Sequence, residues 1–190
     1  MSLREQNKEE KRARLLEAAR ALFRERGYEA TTTRELSQRA GVATGTLFLY
    51  FKDKEQLLLT LFQEEVDAVL AHAYATLPEG DVATRWGHVF LALFEGYARD
   101  PDLARVYVRE LAWTTDPASH TYTLAFWIKL VEIADGALSD PQTSVFSAFA
   151  AYTLALTGWL SGALPRDQAE DLLRAALRQQ LGPRSKEERP

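Results

Sequence analysis

Aspartate–proline pairs at Asp100-Pro101, Asp116-Pro117 and Asp140-Pro141 cut the second half of the chain into pieces of helical length. Asp caps a helix start, and Pro fits the first turn, where an N–H would go unused anyway. Elsewhere apolar residues recur three and four apart, and period-two alternation is scarce. Gly27, Gly41 and the turn Pro78-Glu79-Gly80-Asp81 supply further stops. The pattern predicts an all-α chain with helices near 8–26, 33–40, 44–51, 54–77, 82–99, 102–114, 117–138, 141–162 and 166–181. It also predicts a charged, frayed tail at 183–190.

Composition narrows the chemistry. Hydrophobic residues at 46% and charged residues at 26% are ordinary for a globular protein. There is no cysteine, so disulfides, thiolate metal sites and cysteine nucleophiles are excluded. His72, His88 and His120 lie far apart with no ligand spacing, so no metal and no cofactor is expected. The polar N-terminus lacks the apolar region of a secretory signal, and no apolar run of membrane-spanning length is expected. A cytoplasmic, non-membrane protein is the default. The net charge of −4 argues against a nucleic-acid partner until it is split along the chain. Residues 1–54 carry +4 and residues 55–190 carry −8, a basic head on an acidic body.

The head contains the informative stretch, Thr31 to Leu58. Two short helices with Gly41 between them form a helix-turn-helix, whose second helix is suited to a major groove. Leu36, Ala40, Val42 and Leu47 would hold both helices against the first. Thr44, Gly45, Thr46, Phe48, Leu49 and Tyr50 would face outward with no acidic residue to repel phosphate. Arg34 could reach a base edge or a phosphate, and Lys52 and Lys54 flank the third helix. The alternative is a three-helix packing unit with Phe48, Tyr50 and Phe51 as core. Phe51 suits the core, and Phe48 suits either side.

This segment resembles the TetR family of bacterial repressors. The resemblance rests on Thr32-Thr33-Arg34-Glu35-Leu36, Ala40-Gly41-Val42, Gly45-Thr46-Leu47-Phe48-Leu49-Tyr50-Phe51 and Lys52-Asp53-Lys54-Glu55-Gln56-Leu57. One departure is Phe48, where the family usually has tyrosine. The resemblance implies base or nearby backbone contacts from Thr44, Thr46, Leu49 and Tyr50, and mainly phosphate contacts from Thr33, Arg34 and Lys54. It implies an N-terminal DNA-binding domain at 1–53 and a helical ligand-binding and dimerisation domain at 54–182.

The acidic body shows no phosphate loop, nucleophile elbow or zinc motif, so an enzyme is not expected. Its aromatics are dense: Trp86, Phe90, Phe94, Tyr97, Tyr107, Trp113, Tyr122, Phe126 and Trp127. They read either as a packed core or as the wall of an apolar effector pocket. The resemblance favours the pocket, with Arg109 among its polar candidates. Phe149, Tyr152, Leu156, Trp159 and Leu160, then Leu172, Leu173, Ala176 and Leu177, make two apolar helices at the chain end. They could close a monomer core. The resemblance implies instead a two-fold dimer seam, which uses the same patch on both subunits. The resulting expectation is a ligand-responsive repressor. As a homodimer it would bind palindromic double-stranded DNA and be released by a small apolar or aromatic effector. Its fourth helix would link head and body. Rival readings are an activator or effector-free DNA binder, and a small-molecule carrier with a vestigial head.

Overall fold

The computed structural model describes residues 2–181, and the tail expected at 183–190 lies outside that range. Nine helices and no strand occur among the described residues. They are α1 (Leu3–Arg26), α2 (Thr33–Arg39), α3 (Thr44–Leu47), α4 (Lys54–Ala75) and α5 (Val82–Tyr97), followed by α6 (Pro101–Trp113), α7 (Pro117–Ala134), α8 (Pro141–Leu160) and α9 (Arg166–Leu181).

Local chemistry sets the boundaries. α1 begins five residues earlier than its apolar stripe suggests, because Ser2 and Glu5 close a reciprocal capping box. It stops at Gly27, whose φ of 80° suits glycine. Thr32 and Glu35 form the same box at α2. Thr44, expected as a cap, is instead the first helical residue of α3, and no side chain caps Ala43 before it. α3 ends at Leu47 rather than Tyr50 because the chain tightens there. Leu49 N donates to Thr46 O (3.1 Å) and Tyr50 N to Leu47 O (2.9 Å), bonds of the 3₁₀ kind. Asp53, Asp81 and Asp140 each accept a backbone N–H three residues on, at 2.8, 2.8 and 3.2 Å. At the end of α7, Asp135 at φ 50° leads into Gly136 at φ 71°.

The chain forms two compact units. The first comprises the residues up to Glu65 together with Asp102–Thr114, and the second Val66–Pro101 with the residues from Thr115 onward. The head unit therefore extends past the expected boundary at 53, takes in the first half of α4, and recruits α6. Its core is Leu15, Leu22, Leu36, Leu47, Leu57, Leu58 and Leu61, with Phe62 stacked on Tyr107 of α6 at 4.5 Å. In the second unit α9 packs on α5 and α8, and α7 joins α5 and α8. Trp86, Phe90, Phe94, Leu130, Leu173 and Leu177 are fully buried there.

Candidate functional site

The helix-turn-helix is fastened from within. The Arg14 guanidinium donates from Nε to Ala40 O at 2.8 Å and from Nη2 to Gly41 O at 2.8 Å. A Cβ on Gly41 would lie 2.9 Å from that Nη2, and the backbone there has φ +65°. Both facts make glycine the residue that fits this turn. Val42 N donates to Ser37 O at 3.0 Å and completes the corner.

Around α3 the side chains divide by direction. Leu47 and Phe51 are buried, and Phe51 thus belongs to the core. Thr44 and Gly45 are exposed, Thr46 and Tyr50 are half-buried, and Phe48 and Leu49 are 51% and 80% exposed. Phe48, undecided in sequence, faces outward. On α2, Thr33 is half-buried, and Arg34 is exposed with no ion pair among the described residues. The nearby acids are engaged. Glu35 accepts from Thr32 N at 2.9 Å and from Arg26 at 2.7 Å, and Glu25 pairs with Arg39 at 2.9 Å. The Thr32 backbone N–H, then its hydroxyl, hold the Glu35 carboxyl below its ordinary range. The result is an outward ridge without acid from Gly41 to Lys52, beside one uncommitted guanidinium.

Lys54 is placed differently from the expectation of a phosphate contact. Its ammonium turns inward, donating to Tyr28 O at 2.8 Å and Thr31 O at 3.0 Å, and stands 4.2 Å from the Tyr28 ring centroid. It therefore staples the α1–α2 loop to the start of α4. Sequence reasoning missed this role and that of Arg14. Both depend on carbonyls 23 to 27 residues away, which no local pattern reveals.

Arg109 and Trp113, expected with the effector aromatics, belong to α6 and hence to the head unit. Arg109 Nη2 donates to Glu29 and Glu110, each at 2.7 Å, and these hydrogen bonds, that to Glu29 first and then that to Glu110, raise its pKa. Trp113 is 85% exposed. Leu103, Ala104 and Tyr107 supply the buried stripe of α6, which carries the helix into the head core.

The other aromatics gather in the second unit. Trp86 Nε1 donates to Leu130 O at 2.9 Å. Phe90 stacks on Tyr152 at 4.8 Å and Phe94 on Trp159 at 5.6 Å. Phe126 meets Phe90 and Phe149 edge-on at 6.1 and 6.2 Å. Burial, then Tyr152, push the Tyr97 phenol well above its ordinary pKa. The Tyr122 hydroxyl donates to Asp67 at 2.8 Å. Trp127 packs on Phe149 at 5.5 Å and also lines a groove of 940 Å³ between α7 and the start of α8. Leu124, Ile128, Val131, Val145 and Phe146 form the rest of its apolar wall.

This packing revises the expected dimer set. Phe149, Tyr152 and Trp159 turn into the aromatic cluster of their own unit. Leu156, Leu160, Leu173 and Leu177 are also buried within the protomer, at 3% exposure or less, because α8 and α9 pack on each other. Leu172 remains 52% exposed and Ala176 is half-buried. The outward face of α8 instead carries Phe146 and Leu154, 63% and 74% exposed. No charged residue occurs from Pro141 to Leu160, and α8 is long and apolar enough to cross a membrane by length and composition, contrary to expectation.

Residues 15–61 match the family model of bacterial regulatory proteins, tetR family. The chain is 32% identical over 107 residues to the HTH-type transcriptional regulator YvkB of Bacillus subtilis, covering 56% of each chain. It is 32% identical over 105 residues to the fatty acid metabolism regulator protein of the same organism, covering 55% of this chain and 54% of that one. The chain thus spans about half the length of the curated relatives it matches. Among solved structures, a TetR transcriptional regulator from Rhodococcus sp. RHA1 shares the fold, with a TM-score of 0.80 at 21% identity over 94% of this chain and 100% of that one. Thermus thermophilus FadR, a TetR-family repressor solved with lauroyl-CoA, matches with a TM-score of 0.69 at 26% identity over 94% and 98%. Residues 15–61 thus carry a helix-turn-helix that matches the family model of bacterial regulatory proteins, tetR family, and the chain as a whole shares its fold with solved regulators described as TetR-family proteins.

Proposed function

We propose that this protein is a ligand-responsive transcriptional repressor of the cytoplasm. It binds a palindromic operator as a homodimer and is released by a small apolar effector. The observation that carries the reading is the uncharged outward ridge of Thr44, Gly45, Phe48 and Leu49, set beside the unpaired Arg34 on a fastened helix-turn-helix. A ridge of this kind offers hydroxyls and apolar groups to base edges, while the guanidinium meets phosphate or guanine.

Two further features support the reading. The uncharged outward face of α8, with Phe146 and Leu154, and the exposed Leu172 of α9 form a surface that a second copy would cover under two-fold symmetry. The apolar groove walled by Trp127, Leu124 and Ile128 offers a place for an effector in the second unit. The lauroyl-CoA held by the Thermus relative makes acyl-CoA thioesters, whose acyl chain would be the apolar part the groove receives, the first class to try. Release requires the effector to bind the DNA-incompetent state more tightly, with α4, which contributes to both units, as the coupling element.

The test is selection of DNA fragments by the full-length protein at near-physiological salt, with sequencing of the retained pool. Enrichment of one palindrome, lost on addition of effector, is the expected outcome. Retention of random sequence refutes operator recognition. An effector that binds without changing operator affinity refutes the coupling.

A further inference from the structure

α5 and α9 run antiparallel along a seam, with Arg166 at the start of α9 paired to Glu95 near the end of α5. The opposite end of the seam opens into a recess of 340 Å³ walled by Thr84, Gly87, His88 and Leu91 of α5 and by Arg174 and Arg178 of α9. Each set is a single helical stripe, stepping three or four residues. The charge pattern changes along the seam. Glu95 answers Arg166; at the open end the α5 residues that wall the recess carry no carboxylate, and Asp81, the cap of α5, is engaged by the Thr84 N–H at 2.8 Å and by the Thr84 side chain. Arg174 is held by Glu170 and Asp171 of its own helix, at 3.1 and 3.0 Å. Arg178 is exposed and has no ion pair among the described residues. The His88 ring meets Thr76 Oγ1 at 3.2 Å, which orients it beside the recess. An unanswered guanidinium in a concave site runs against the net charge of −8 carried by residues 55–190.

We propose that this recess binds the phosphate group of a small phosphorylated molecule, with Arg178 as its principal cation. A guanidinium fork binds phosphate oxygens bidentately. The volume exceeds that of a lone phosphate, and Leu91 with the bare backbone at Gly87 gives the remainder of the molecule an apolar floor. The site is separate from the DNA-binding ridge and from the groove at α7 and α8, so it stands or falls independently of the function proposed above.

Calorimetric titration of the full-length protein with phenyl phosphate, at constant ionic strength and without DNA, tests it. Saturable one-site binding is expected, about tenfold weaker in Arg178→Gln, restored in part by Arg178→Lys, and unchanged in Arg105→Gln. Thr84→Glu, which sets a carboxylate in the recess, should abolish binding and serves as a second variant if Arg178→Gln loses helicity. Equal binding by the wild type and Arg178→Gln overturns the proposal. Benzoate binding as tightly as phenyl phosphate overturns the assignment to phosphate. Displacement of phenyl phosphate by duplex DNA of arbitrary sequence would give the cations to the DNA backbone and overturn the small-molecule reading.

Discussion

Replacing Lys54 with methionine separates two roles that sequence alone cannot distinguish. The substitution keeps the apolar stem and removes the ammonium. In the folded protein that ammonium donates to Tyr28 O at 2.8 Å and Thr31 O at 3.0 Å, above the Tyr28 ring. Each hydrogen bond to a charged donor contributes about 1.5 kcal/mol net, and the cation–π contact about 0.5 to 1 kcal/mol at a half-exposed site. Water takes over part of the carbonyl solvation, and Tyr28 O keeps the Thr31 N–H at 3.2 Å. A loss of about 2 to 3 kcal/mol remains. For a chain of 190 residues this corresponds to a fall in Tm of roughly 4 to 12 °C. Thermal unfolding followed by circular dichroism measures it, alongside DNA binding at several salt concentrations. Replacing a lysine that only touched phosphate would leave stability within about 0.5 kcal/mol of wild type and lower the salt slope by about 0.9. An unchanged Tm with a reduced slope would refute the staple.

Arg34→Ala removes an unpaired surface cation, so stability should stay within about 0.5 kcal/mol while operator affinity falls and the salt slope drops by about 0.9. Filter binding across a salt series checks both. Leu154→Glu places a charge on the uncharged face of α8 and should yield a folded monomer by light scattering, whereas an undisturbed dimer would move the seam elsewhere. Phe90→Ala empties a fully buried site between Tyr152 and Phe126 and should cost about 3 to 5 kcal/mol in denaturant unfolding. Burial, then Glu110, push the Tyr28 phenol up to about 12. Between pH 10 and 12 the folded state therefore holds a proton that the unfolded state releases, and stability should decline as pH rises through that window. Tyr28→Phe should flatten the decline, read as the urea midpoint against pH.

The sequence by itself determined the helices and the nature of the head. Thr32-x-x-Glu35, the glycines at 27 and 41, and the capping aspartates at 53, 81 and 140 act over one or two turns, so their consequences can be read where they stand, whereas the Ser2–Glu5 box that starts α1 at residue 3 goes unread because the apolar stripe begins later. The apolar period fixed Leu47 and Phe51 as inward and left Thr44, Gly45 and Leu49 outward, which is why the candidate DNA face was legible. Tertiary structure alone decided which partner each apolar face takes. Period shows that a face will be buried but not against what. Tyr107 buries α6 on Phe62 in the head, so Arg109 and Trp113 belong to the head unit and not to the unit that holds the aromatic cluster they were expected to join. Tyr152 and Trp159 stack inside their own unit, leaving Phe146 and Leu154 outward on α8. Arg14 and Lys54 look like ordinary surface cations in the sequence. They become fasteners because folding brings carbonyl oxygens within 3.0 Å of donors more than twenty residues away, a proximity set by packing and not by any local pattern.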